Sequence, residues 1–190
     1  MIKCVIKILC GVLFFCSLVV QAGNINIKHW QSDDGAQVYF VKTDVLPMVD
    51  IRVVFAAGSA YDGKRYGVAN FTNIIIGDGT FKLSANDIAN AFDGVGAVFG
   101  ADTDRDRSML SLRSLTDSKY LQPALDTFID VLAHPAFKEA AFKRIQNQTL
   151  AEIKLGQESP DTVASNAFNA TLYGNQPYGH PVVGTTPTVS

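Results

Sequence analysis

Apolar positions along the chain follow two periods, and the switches between them mark out the elements. Ile25 to Gln31 and Gln37 to Lys42 alternate apolar and polar residues around Asp33-Asp34-Gly35. An Asp-Gly pair between alternating segments signals a hairpin, because both turn residues must tolerate positive φ. Val49 to Ala57 reads as a third strand, rich in β-branched Val49, Ile51, Val53 and Val54, with Pro47 in the connection before it. From Arg65 to Gly77 the period changes. Val68, Phe71, Ile74 and Ile75 recur at three- and four-residue steps, as on one face of a helix, and Gly77, Gly79 and Thr80 end the pattern. Ser84 with Asp87 three residues on forms a capping-box pattern. It predicts a helix from Ala85 to about Gly94, with Ile88, Ala91, Phe92 and Val95 inward.

Val98 to Thr103 and Ser108 to Leu115 read as strands around the charged tip Asp104-Arg105-Asp106-Arg107, with Met109 facing away from Leu110 and Leu112. Asp117 or Ser118 then caps a helix to Ala133 that carries Leu121, Leu125, Phe128, Ile129 and Leu132. Pro135 breaks it. A further helix is predicted from Lys138 to Gly156, and Ser159-Pro160-Asp161 starts a last one that ends near Gly174. The order is β-β-β-α-α-β-β-α-α-α. Strands joined by short turns, with helices grouped together, predict an α+β fold: an antiparallel sheet covered by helices on one face.

Composition changes this picture at the N-terminus. The 190 residues are 47% hydrophobic and 18% charged, with a net charge of -2, which excludes a disordered chain and a nucleic-acid binder working by bulk charge. Residues 1–22 read as a secretory signal: Lys3 and Lys7 precede the apolar run Ile8 to Val20, and Val20-Gln21-Ala22 supplies small residues for cleavage. The run is shorter than the about 20 residues a spanning helix needs, so an uncleaved anchor is the lesser alternative. Cys4, Cys10 and Cys16 all lie in this segment, so cleavage leaves no thiol and no disulfide. It also takes the 16 basic residues to 14 against 18 acidic ones, a net charge of −4. The expectation is an exported, periplasmic protein with no membrane span after cleavage.

The remaining landmarks resemble the N-terminal domain of the pitrilysin, insulinase and mitochondrial processing peptidase family of zinc peptidases. They are the Asp34-Gly35 hairpin, Ala57-Gly58-Ser59, Tyr66-Gly67-Val68-Ala69, Gly79-Thr80 and Val95-Gly96-Ala97. Further on come His134-Pro135-Ala136-Phe137, Tyr178-Gly179-His180-Pro181 and Gly184-Thr185. The resemblance implies the family's half-subunit fold over residues 23–190. It also implies that the chain stops at Ser190 while that domain is still finishing, so a domain truncated at its C-terminal end is expected.

In that family the helix after Gly-x-Ala carries H-x-x-E-H. Two histidines four apart share a helical face and bind zinc, and the glutamate acts as general base on the zinc-bound water. A distant glutamate completes the metal shell. Here the first histidine position is Asn70, the glutamate position Asn73 and the second histidine position Ile74; only the distant acid is kept, as Glu152. An amide is a poor substitute for imidazole on zinc, isoleucine has no donor atom, and Asn73 cannot take a proton from water at neutral pH. The resemblance therefore implies a site with no intact catalytic residue, no zinc and no other cofactor. It further implies a partner, an active homologous subunit, with which the chain would bind or enclose peptide. A truncated, inactive remnant of such a subunit is the alternative, and an active zinc endopeptidase the lesser one.

Other residues do not repair the site. His29, His134 and His180 are not spaced for a shared helical site and read as solvated or locally hydrogen-bonded. Asp102, Asp104 and Asp106 mimic the start of a calcium loop, but Arg107 stands where the loop needs glycine and Arg113 where it needs glutamate. They read as a charged hairpin tip balanced by Arg105 and Arg107.

Overall fold

The computed structural model describes residues 25–190; the signal-like segment 1–22 lies outside the described residues. Among the described residues no helix is long and apolar enough to cross a membrane. The chain divides into two compact units, one ending at Leu46 and the other running from Pro47 to Ser190.

The first unit is the hairpin of β1 (Ile27–Gln31) and β2 (Gln37–Val41). Its strands pair antiparallel from Ile27 opposite Val41 to Gln31 opposite Gln37. Gly35 turns the chain at a φ of 88°, and the Ser32 hydroxyl accepts from the Ala36 N–H. The expected antiparallel pairing is found, and the hairpin forms a two-stranded sheet of its own.

The second unit holds a three-stranded antiparallel sheet in the order β3 (Met48–Phe55), β5 (Ser108–Leu115), β4 (Val98–Thr103). Period-two alternation decides its faces. On β5, Ser108, Leu110, Leu112 and Ser114 are buried. The register places Ile51 and Phe99 opposite Leu112, and Val53 and Ala101 opposite Leu110. This face takes the helices. The other face is mixed, with exposed Met48, Val54, Val98 and Leu115 beside Asp50, Arg52 and Arg113, and across it Arg113 makes a two-toothed ion pair with Asp50, at 2.6 and 2.9 Å.

Two helices build the core against that face. Helix α2 (Ala85–Asp93) sends in Ile88 and Phe92, and α3 (Ser118–Ala133) sends in Ala124, Phe128 and Val131. Phe99 joins them, its ring stacked on Phe92 at 5.4 Å and edge-on to Phe128 at 6.2 Å. The expected inner stripe of α3 is found at Phe128, with Leu125 and Leu132 half-buried against the core. Ala124, Thr127, Phe128 and Val131 form the buried line, while Ile129 is 55% exposed.

Helix α1 (Val68–Ile76) starts three residues later than the sequence pattern predicts, because Gly67 is left-handed at a φ of 99° and interrupts the turn at Arg65 and Tyr66. Helices α4 (Glu139–Glu158) and α5 (Pro160–Tyr173) pack on one another, and a four-residue helix α6 (Thr186–Val189), not predicted, follows. Helix α4 buries a single line, Ile145, Thr149 and Ile153, and α5 buries nothing.

Replacing Leu110, 1% exposed at the centre of the core, by alanine should cost about 2–5 kcal/mol, read as a lowered urea midpoint at unchanged slope. A second prediction concerns the α2 cap, where the expected capping box forms: the Asp87 N–H donates to the Ser84 hydroxyl oxygen and the Ser84 N–H to Asp87. Bonds from the Ser84 hydroxyl and then its N–H hold the Asp87 carboxyl below the usual range. A depressed folded value contributes stability above the unfolded value of about 4 that is lost as pH falls through the folded one. Asp87→Asn should therefore destabilise the protein at neutral pH, with the gap closing in acid, as followed by urea denaturation across pH.

Candidate functional site

The candidate site is built around α1. The residue before this helix is Gly67, which has no side chain to cap it; the cap comes from Asp62 instead. One carboxylate oxygen of Asp62 accepts from the Gly67 N–H at 2.7 Å and the other from the Ala69 N–H at 2.8 Å. These bonds satisfy two of the N–H groups that a helix start leaves free, and the negative charge suits the helix dipole.

A C-terminal strap grips the same turn from the other side. The Thr188 hydroxyl donates to the Tyr66 carbonyl at 2.7 Å. Gly67 and Gly184 pass back to back: a Cβ at Gly184 would lie 2.4 Å from the Tyr66 carbonyl oxygen, and one at Gly67 would lie 2.8 Å from that of Val183. Both have positive φ, so neither position tolerates another residue without strain. His180 is buried and stacks flat on Tyr66 at 4.0 Å, with Nδ1 3.2 Å from the Pro181 carbonyl. Towards α4, Phe71 packs on Phe142 at 4.8 Å, and Asp78, just beyond the helix, pairs with Arg144.

Between α1 and the start of β5 lies a mostly apolar cavity of about 350 Å³. Val68, Ala69, Thr72, Asn73 and Ile76 line it from α1, and Phe55, Ser108 and Leu110 from the sheet. Asn73 is 3% exposed, and its amide N–H donates to the Met109 carbonyl at 3.4 Å.

The four residues singled out by sequence are divided by the fold. Asn70, Asn73 and Ile74 share α1, but only Asn73 lines the cavity. Asn70 is half-buried and Ile74 is 40% exposed. Glu152 is exposed on α4, the helix that packs on α1. Among the described residues no three His, Cys, Asp or Glu side chains are grouped to hold a metal ion. His29 bonds Gln37 inside the hairpin, and His134 sits 3.1 Å from Asp130 at the end of α3.

The acids of the β4–β5 tip are also engaged. Asp104 accepts from the N–H groups of Asp106 and Arg107 and from the Arg107 side chain, and its carboxyl is held below the usual range chiefly by the Asp106 N–H. Asp106 accepts from the Tyr178 hydroxyl, a bond that raises the tyrosine's pKa. Only Arg107 balances an acid; Arg105 reaches the Tyr178 carbonyl at 3.3 Å.

Sequence reasoning missed Asp62, Gly184 and Thr188 as supports of α1. Gly184 stood in a quoted landmark, but nothing in the linear pattern links it to Gly67.

The fold is that of an α+β domain of the peptidase-family type. The family model for insulinase, peptidase family M16, matches residues 38–186, and the chain belongs to that family. It is 27% identical over 165 residues to the uncharacterised zinc protease YmxG of Bacillus subtilis, over 86% of this chain and 40% of that protein. An uncharacterised zinc protease of Rickettsia felis is 29% identical over 154 residues, 79% of this chain and 37% of that one. Among solved structures, a peptidase M16 inactive domain from Pseudomonas fluorescens superposes with a TM-score of 0.84 at 38% identity, over 87% of this chain and 40% of that one. A protease from Helicobacter pylori shares the fold, with a TM-score of 0.79 at 19% identity and the same coverage. The chain thus spans about 40% of the length of these relatives.

Asp62→Ala should remove the cap of α1 and cost about 1 kcal/mol. The expected readout is a lower denaturation midpoint together with faster hydrogen exchange in the first turn of the helix.

Proposed function

We propose that this chain is an exported, non-catalytic member of the M16 family that binds or encloses peptide beside an active, zinc-bearing homologue. The observation that carries the reading is the donor set on α1. Asn70, Asn73 and Ile74 stand where the family resemblance places the first zinc ligand, the general base and the second ligand. Zinc needs three or four nitrogen, sulfur or carboxylate donors in tetrahedral array. Ile74 offers none, Asn70 offers a neutral amide, and Glu152 is a single exposed carboxylate. The Asn73 amide is buried and its N–H is already used on the Met109 carbonyl. These residues do not fit zinc.

The P. fluorescens relative, at 38% identity, is itself described as an inactive domain, which supports the same reading. A positive, apolar and small-residue N-terminal segment supports export to the periplasm. With Asn70 and Ile74 poor donors for zinc and Asn73 unable to act as base, the reading gives the domain a binding role. β4 lies at one edge of its sheet with α1 packed against it. An extended peptide can add to such an edge through main-chain hydrogen bonds, a mode tolerant of sequence.

Metal analysis and a peptidase assay on the purified chain test this. The chain should carry no stoichiometric zinc and should cleave no unfolded peptide alone, and it should copurify with an active homologue. The combined variant N70H, N73E and I74H should gain zinc, with Glu152 completing the set. One equivalent of zinc in the unaltered chain, or chelator-sensitive cleavage by it, would sink the non-catalytic reading. Failure to copurify would sink the partner and favour an inactive remnant.

A further inference from the structure

The hydrogen bonding of the β4–β5 hairpin fixes which groups β4 offers to a neighbour. At its tip the Asp104 N–H donates to the Arg107 carbonyl at 3.0 Å, so these two residues face each other as a bonded pair. Bonded and non-bonded pairs alternate along an antiparallel ladder. With Asp102 opposite Met109, Gly100 opposite Ser111 and Val98 opposite Arg113, these three residues turn their N–H and C=O groups to β5. Thr103, Ala101 and Phe99 turn theirs the other way, to an edge with no second neighbour among the described strands.

Side chains follow the same alternation. A strand added antiparallel, the pairing of the rest of this sheet, bonds with Phe99 and Ala101. It therefore meets Gly100 and Asp102 in non-bonded pairs, where opposed Cα atoms come within about 4.5 Å and side chains approach most closely. Both positions lie on the face turned away from the helices, since their partners Ser111 and Met109 alternate with the buried leucines of β5.

The two positions ask for different side chains. Gly100 leaves a notch between Val98, which is 61% exposed, and Asp102. The floor of the notch is close: a Cβ at Gly100 would lie 2.7 Å from the Ser111 Oγ. A flat aromatic ring laid across an edge glycine restores the packing that the glycine lacks. Asp102 is exposed and joins no ion pair or hydrogen bond among the described residues. The basic groups around it are used elsewhere: Arg107 on Asp104, Arg113 on Asp50 and Arg105 on the Tyr178 carbonyl. An unmatched negative charge thus stands at the edge, and opposite charges directly across a ladder attract.

We propose that β4 selects among extended peptides by a basic residue opposite Asp102 and an aromatic residue opposite Gly100. In an antiparallel strand this reads basic–x–aromatic from the N-terminal side. Main-chain bonds supply affinity at such an edge, and the alternate side chains supply the choice. The proposal rests on the reading of β4 as a peptide-binding edge and adds a substrate class to it.

Ten-residue peptides of serine, threonine and valine with a central lysine–threonine–phenylalanine stretch provide the probe. Two companions carry glutamate for the lysine, or alanine for the phenylalanine. Fluorescence polarisation with the intact chain at low salt gives the affinities, and hydrogen exchange over Val98–Thr103 gives the place. The lysine peptide should bind about threefold or more tighter than the glutamate peptide, and the phenylalanine peptide about two- to fivefold tighter than the alanine one. Added salt should narrow the first difference and not the second. Asp102→Asn should erase the lysine preference and Asp102→Lys should reverse it, while Glu158→Gln, an equal loss of charge on α4, should leave it. Gly100→Ala should weaken the phenylalanine peptide alone. Equal protection of Val98–Thr103 by all three peptides would overturn the selection and leave β4 as a peptide edge. A lysine preference that persists in D102N would overturn it too. Protection of β4 by none of the peptides would overturn both the selection and the edge reading beneath it.

Discussion

Burial of one face of β5 is the constraint on which the second unit rests. β5 is the only strand of the sheet with neighbours on both sides among the described residues, and Ser108, Leu110, Leu112 and Ser114 all point into the helix layer. Because the side-chain period is two, a slip of one residue would turn Met109, Ser111 and Arg113 inward and expose both leucines. The register of β3 and β4, the seating of α2 and α3, and the hydrogen bond from Asn73 to Met109 all follow from that choice of face. The Asp50–Arg113 pair on the opposite face is consistent with the same register but is solvent-exposed, and pairs of that kind contribute little.

Helix α1 depends on different forces. Its own sequence caps it poorly, with glycine before the first turn and no acid within it. Asp62, Thr188 and the close pass of Gly67 and Gly184 hold its start, while Phe142 and Arg144 hold it from α4. A helix fixed from three directions can lose its reactive side chains and keep its place, since none of these supports involves Asn70 or Ile74. This separates the family's scaffold from the family's chemistry. On the proposed non-catalytic reading, that scaffold serves for binding.

Much of the fold was legible in the linear pattern because the signals were local. β4 and β5 have the predicted bounds, and the Ser84–Asp87 box starts α2 at the predicted residue, since alternation and capping act within a few residues. The errors came where distant contacts decide. The start of α1 moved to Val68 because Gly67 must turn to meet Gly184, and on α3 the core takes Ala124 and Val131 beside the expected Phe128 while Ile129 faces out. Of the candidate site, the identities at 70, 73, 74 and 152 were legible, but not their separation into one buried, one half-buried and two exposed positions.

The sequence by itself determined the family and the α+β class, because each is a matter of residue type in fixed order, and through the family resemblance it singled out Asn70, Asn73, Ile74 and Glu152 as candidates. Only the tertiary structure decided that Asn73 alone of those four lines the apolar cavity, and that β3 pairs with β5 alone among the described strands. It alone made Asp62 and Thr188 the supports of α1. These depend on which face of a helix meets the sheet and on which strands end with an unfilled side. Such properties arise when segments far apart in the chain pack together, and no local period encodes them.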